Sequence, residues 1–378
     1  MILPFVRELL ADLEHSSAFE QARRHLALAR GRRRVSGLTS TARALYLPLF
    51  ARAANVPVVI VVADNKAADT LQISLRAGCE LTGAIAPERV LKLPAHDVLP
   101  FENLSPHPEV QEQRAATLWK MATGGASIVI APVEAAAMKF FSADYYANLA
   151  RTLRRSEEID IDALITHLTS VGYNAADIVE MPGQFTRRGG ILDVYSPEVD
   201  RPVRVEFFGD EVDSIRKFDP ESQRSSTPLD EAVLLPLTET PITERLLAAV
   251  HARLSGARIE STDDPDLVAE AVAATGVSVF PGWEFFSTVA GANQNLLDLF
   301  PRTALFVEEP AMIRNQIDRW WNKVEQRHDR SGIGSLIEPQ DIYMRPELLQ
   351  AQLSSHPGLD IDQLGVVDVL EEDETLGE

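Results

Sequence analysis

The chain has 378 residues, with 36 Lys and Arg against 56 Asp and Glu, a net charge of −20. At ~100–200 residues per domain that length suggests two or three domains, and no apolar run approaches the ~18 residues of a transmembrane helix. The acidic balance argues against nucleic-acid binding unless a local basic patch overcomes it, since like charge repels phosphates over ~8–10 Å. The one cysteine, Cys79, rules out an internal disulfide and points to a cytoplasmic chain.

The start, Met1-Ile2-Leu3-Pro4-Phe5 running into Arg7, Glu8 and Asp12, is amphipathic and unlike a signal peptide. Arg30-Gly31-Arg32-Arg33-Arg34 is the densest basic run and reads as a solvated turn before a strand. Pro57 then precedes Val58-Val59-Ile60-Val61-Val62, the pattern of a strand buried on both faces. Helical spacing over 65–77, a strand at 90–93, a proline-rich loop to Pro108, a helix over 109–122 and a strand at 127–131 follow. This alternation predicts a parallel α/β sheet.

Near residue 150 the rhythm changes. A helix carrying Ile161, Leu164, Ile165, Leu168 and Val171 ends at Gly172. Strand candidates 191–195, 203–208 and 212–218 then follow with turns only between them, as in a small α+β domain. The α/β rhythm returns from about 240, with helices at 243–254, 265–274 and 311–326 and strands at 277–280 and 304–307. The aromatic stripe of the 311–326 helix suits core packing. The tail from Asp368 to Glu378 is acidic and expected to be disordered.

Val35 to Ala44 has the setting of a phosphate-binding loop but lacks its parts. A working loop reads G-x-x-x-x-G-K-S/T. Gly37 fits the first position, but Ala42 replaces the second glycine, Arg43 the lysine, and Ala44 the hydroxyl that holds Mg²⁺. Leu305-Phe306-Val307-Glu308-Glu309 has the form of a Walker B strand with Glu308 where Asp is usual. Two acids ending a strand are common on their own. Together the two segments suggest an ATPase core without catalysis, needing neither ATP nor Mg²⁺. His96 and His107 lack the closely spaced partners of a metal site, and no metal is expected.

Two further segments are distinctive. One runs Asp97-Val98-Leu99-Pro100-Phe101-Glu102-Asn103-Leu104-Ser105-Pro106-His107, with Arg114 and Leu118 downstream. The other runs Gln184-Phe185-Thr186-Arg187-Arg188-Gly189-Gly190-Ile191-Leu192-Asp193-Val194-Tyr195, then Arg204 to Ile215, closing with Phe218-Asp219, Ser222-Gln223-Arg224 and Leu234-Leu235-Pro236. The second resembles the domain shared by the excision-repair protein UvrB and the transcription-repair coupling factor Mfd. The first, with the degraded loop, is similar to the Mfd type. The likeness covers roughly residues 30–350.

The resemblance implies an α/β fold: a split, degenerate P-loop-type (RecA/helicase-like) parallel-sheet domain with an inserted small α+β UvrA-binding domain. Its divisions would be domain 1A over 1–150, domain 2 over 151–238, domain 1B over 239–350 and an acidic tail or linker over 351–378. It also implies UvrA docking through Arg188, Arg204 and Phe208. Strand alternation puts Arg204, Glu206 and Phe208 on one face of their strand and Val203, Val205 and Phe207 on the core face. Arginines and an outward aromatic are the residue types of binding hot spots, while the same pattern also suits intramolecular ion pairs. The parent's polymerase-binding domain and DNA-translocating motor, its links to RNA polymerase and duplex DNA, are not expected in this chain. The expectation is a monomeric adaptor without membrane contact; the alternatives are a UvrB-like ATPase or a purely autoinhibitory module.

Overall fold

The computed structural model describes residues 12–28, 30–254, 279–330 and 337–363. The expected amphipathic start, the 265–274 helix and the acidic 368–378 tail lie outside them.

The body is one six-stranded, wholly parallel sheet in the order β1-β14-β13-β2-β4-β3. Its strands are β1 (Arg32–Val35), β2 (Val58–Val62), β3 (Val90–Lys92), β4 (Ile128–Pro132), β13 (Ala304–Glu308) and β14 (Gly358–Ile361). The two α/β rhythms read along the chain therefore build a single sheet. β13 slots in beside β2, and β14 fills the place between β13 and β1. Parallel strands need crossovers, and helices supply them on both faces. α1 (Ser17–Leu28) precedes β1 and packs on α2 (Ser40–Ala54); the principal crossovers are α2, α3 (Asn65–Thr82) and α4 (Pro108–Ala122). Asp64 caps α3 by accepting from the Ala67 amide at 2.8 Å, and Gly83 ends it in a left-handed turn. Every side chain of β2 is buried, with Val59 and Val61 in one core and Val58, Ile60 and Val62 in the other. That is the physical basis of its unbroken apolar run.

Three readings are corrected here. The basic run is not a turn: Arg32, Arg33 and Arg34 form β1, and Arg32 and Arg34 pair with Asp360 and Asp362 at 2.7 and 3.1 Å. The chain does not leave the body at residue 350. A helix over Pro346–Ser355 and β14 follow, and Leu359 and Ile361 are fully buried in the sheet. Leu359-Asp360-Ile361 is too short and too close to an acidic tail for pattern alone to identify it. Finally, Val279 and Phe280 belong to no strand, while 277 and 278 lie outside the described residues.

Between β4 and β13 the chain makes an excursion. β5 (Arg151–Arg154) leads out and β12 (Glu231–Leu234) leads back, paired antiparallel as a neck. Above the neck lies α5 (Ile161–Ser170) and a second sheet, ordered β11-β10-β9-β8-β7-β6. Its strands are β6 (Asn174–Ala175), β7 (Gln184–Arg188), β8 (Ile191–Val194), β9 (Val203–Phe208), β10 (Glu211–Phe218) and β11 (Ser225–Leu229). Of these six, β8, β9 and β10 follow the sequence reading closely; β6, β7 and β11 are short or polar and carry little pattern. One face buries Leu192, Val194, Val205, Val212 and Ile215 beneath Leu164 and Leu168 of α5. The helix over Pro310–Arg330 buries Ile313, Ile317, Trp320 and Val324 against the body, while Met312 stays exposed.

Candidate docking face and candidate nucleotide cleft

The outer face of the second sheet carries Arg188, Ile191, Asp193, Arg204, Glu206 and Phe208, set side by side by the register. Arg188 pairs with Ile191, Ile191 with Glu206, and Asp193 with Arg204. Phe208 ends β9 opposite Glu211 and is 83% exposed, against 0% for Val205 on the inner face. Its exposure has a local cause. Beside it the β7–β8 hairpin turns through Gly189-Gly190, and the Phe207 amide donates to the Gly190 carbonyl at 2.7 Å. A Cβ at Gly190 would lie 2.9 Å from the Phe207 carbonyl oxygen, so this position takes glycine, and glycine offers no side chain to cover the ring.

The three expected docking residues are not alike. Arg188 is exposed, with one Nη2 bond to the Asp177 carbonyl at 2.7 Å. Arg204 is half-buried. Its Nε and Nη2 donate to the two oxygens of Asp193 at 2.6 and 2.7 Å, and its guanidinium lies 4.9 Å from the Phe218 ring centroid. Asp193 is 2% exposed. Of the two expected docking arginines, Arg188 thus meets a backbone carbonyl and no acid among the described residues, while Arg204 is paired with Asp193 within the domain. Sequence reading missed Asp193 because the β8–β9 register, which sets it opposite Arg204, is a tertiary fact.

At the carboxyl end of the parallel sheet lies the cleft where the sequence reading expects a nucleotide site that has lost its parts. Thr39 caps α2 by accepting from the Ala42 amide at 3.4 Å, and Gly37 takes φ +83° in the preceding turn. Arg43 turns back across the strand ends. Its Nε donates to the Leu38 carbonyl at 3.0 Å, and its two terminal nitrogens close on Glu308 and Glu309. Burial pushes the Glu308 carboxyl up, and Arg43 opposes that rise without cancelling it. Glu309 takes φ +49°, donates its amide to Ile361 at 2.8 Å and accepts the Gln363 amide at 2.8 Å. The cluster therefore ties β13 and β14 to α2. Of the six expected positions, Arg43, Glu308 and Glu309 line the cleft of about 450 Å³, together with Ala63, Ala67, Met312 and Gln363. Gly37, Ala42 and Ala44 do not. Ala44 faces α3, where a Cβ on Gly78 would lie 1.7 Å from the Ala44 carbonyl oxygen.

A third cluster sits where the excursion rejoins the body. Arg114 of α4 is fully buried, donates Nη1 to the Pro94 carbonyl at 2.6 Å and pairs through Nε and Nη2 with Glu239. His96 reaches the same carboxylate at 3.2 Å and stacks edge-on against Phe285. His107, the other histidine of that loop, caps α4. Among the described residues no group of His, Cys, Asp and Glu could hold a metal ion, and no helix is long and apolar enough to cross a membrane.

A split parallel sheet carrying a β-rich insertion on a two-stranded neck is a UvrB-like architecture, and residues 152–239, from neck to neck, match the family model described as the UvrB interaction domain. The chain is 32% identical to a transcription-repair-coupling factor of Myxococcus xanthus over 305 residues, which is 78% of this chain and 25% of that protein. It is 27% identical to that of Escherichia coli K12 over 345 residues, covering 89% and 29%, and 30% identical to that of Bacillus subtilis over 205 residues, covering 54% and 17%. These matches place the chain with the UvrB-like module of the transcription-repair coupling factors. It spans between about a sixth and 29% of the length of these relatives.

Proposed function

We propose that this chain is a UvrA-recruiting adaptor that links stalled RNA polymerase to nucleotide excision repair, and that it works in the cytoplasm as a monomer without ATPase activity of its own. Polymerase, duplex DNA, ATP and Mg²⁺ belong, on this reading, to the translocase parent. The observation that carries it is Phe208, an aromatic ring 83% exposed beside Arg188 on the outer face of the matched interaction domain. Aromatic side chains bury ~150–250 Å² in an interface. At ~25 cal/mol per Å², covering the exposed part of this ring is worth ~3–5 kcal/mol. Ordering and desolvation costs reduce this to the ~2 kcal/mol typical of a hot spot, or roughly thirtyfold in affinity. Titrating UvrA against Phe208→Ala and Arg188→Ala tests it. Both variants should keep the parent melting temperature and lose about that much affinity. Unchanged affinity in both puts the interface elsewhere.

The Arg43 cluster supports the adaptor over a UvrB-like ATPase. The group in the phosphate-binding lysine's place is engaged by the two acids that end the Walker B-like strand.

A further inference from the structure

We infer that the docking face continues onto the loop between β6 and β7, where Ile178 and Met181 meet the partner, and that Arg204 is the positioning residue for this loop. The inference rests on UvrA docking at Phe208 and Arg188.

Ile178 and Met181 are 47% and 59% exposed, yet Val179 between them is fully buried. A loop that tucks in one apolar residue and presents its neighbours is held in place, and three side chains, two from β7 and one from the turn before β11, hold it. Arg188 bonds the Asp177 carbonyl at 2.7 Å, and Gln223 Nε2 bonds the Val179 carbonyl at 3.2 Å. The Gln184 side-chain oxygen accepts from the amides of Glu180 and Met181 at 2.9 and 3.2 Å. Gln223 is in turn fixed from below. It adopts φ +55°, and its carbonyl accepts from Arg204 Nη1 at 3.3 Å. Arg204 is anchored by both oxygens of buried Asp193 and by the Phe218 ring. A chain of contacts thus runs from Asp193 through Arg204 and Gln223 to Val179.

The loop also adjoins the proposed interface. Arg188 touches both, and Phe208 lies two strands away. At ~4.8 Å per strand that is roughly 10 Å along the sheet, well inside the ~800 Å² that each partner contributes to a standard interface. A loop whose backbone is already fixed needs little further ordering on binding, which suits its exposed side chains to an interface. The occupant is therefore UvrA itself, by continuity with Phe208 and Arg188.

The test uses the full chain and purified UvrA, with a thermal melt and amide exchange for each variant. Ile178→Ser and Met181→Ser should each weaken UvrA binding roughly fivefold, with exchange across 176–183 unchanged. Arg204→Lys keeps the charge but not the two-pronged grip on Asp193. It should weaken binding and speed exchange at residues 176–183, and Gln223→Ala should do the same without touching the Arg204–Asp193 pair. Because Arg204 acts through the loop, its effect and that of Ile178→Ser should be less than additive in a double-mutant cycle. Additive losses with unchanged exchange would make Arg204 a direct contact and overturn its positioning role. If Phe208→Ala loses affinity while Ile178→Ser and Met181→Ser bind normally, the loop surface is refuted and UvrA docking stands. If none of the variants loses affinity, both fail.

Discussion

Glu239→Gln is a demanding perturbation of how the inserted domain is held to the body. Glu239 follows the neck and meets Arg114 from α4 and His96 from the loop after β3. Burial alone would push its carboxyl up; Arg114 and His96 reverse this and hold it at about 2, from an ordinary 4.5. At 1.36 kcal/mol per pH unit, that drop corresponds to about 3 kcal/mol favouring the charged, folded form. Removing one partner of a buried pair costs ~3–5 kcal/mol by a separate route, because the fully buried Arg114 guanidinium is left without its counter-charge. The two figures agree. At ~2–4 °C per kcal/mol for a unit of this size, melting should fall by roughly 6–20 °C. Arg114→Leu with Glu239→Leu should recover much of the loss, since it leaves no orphaned charge. The pH dependence follows from the sign. A depressed carboxyl stabilises above its unfolded value, so this contribution is full above pH 4.5 and lost as pH falls toward about 2. His96, whose pKa burial and Arg114 both lower, acts in the same direction: below about 6.5, protonation favours the unfolded chain. Glu239→Gln should therefore flatten the acid limb of the stability curve. A melting point within ~2 °C of the parent, or a double variant no more stable than the single, would refute the reasoning.

Calorimetry with Mg-ATP should detect no micromolar binding, and Arg43→Ala should lower the melting temperature by freeing Glu308 and Glu309 from their cation. Tight ATP binding by the parent chain would contradict the vestigial reading. Gly190→Ala should destabilise the β7–β8 hairpin, because its Cβ would press the Phe207 carbonyl at 2.9 Å; an unchanged urea midpoint is the contrary result. Duplex DNA at ~150 mM salt should bind no tighter than micromolar, since Arg32 and Arg34 of the basic run are paired with Asp360 and Asp362. A sub-micromolar complex would show a concentrated basic face elsewhere.

Much of the architecture was legible in the residues because burial writes period and run length into sequence. Val58–Val62 had to be a strand covered on both faces, and the alternation of Val203, Val205 and Phe207 with Arg204, Glu206 and Phe208 assigned inside and outside correctly. The reading of Ala42, Arg43 and Ala44 as departures from a phosphate-binding loop was equally local, since each concerns a single motif position. What the tertiary structure alone decided is who meets whom across long separations. Glu308 lies 265 residues from Arg43, and Glu239 lies 125 from Arg114, and no periodicity encodes such pairings. β14 has four residues and is a strand because β1 and β13 leave a slot between them. Arg204 looked like a surface hot spot by type and alternation. Only the register of β8 against β9, which brings the buried carboxylate of Asp193 to it, engaged that outer-face arginine in an ion pair within the domain.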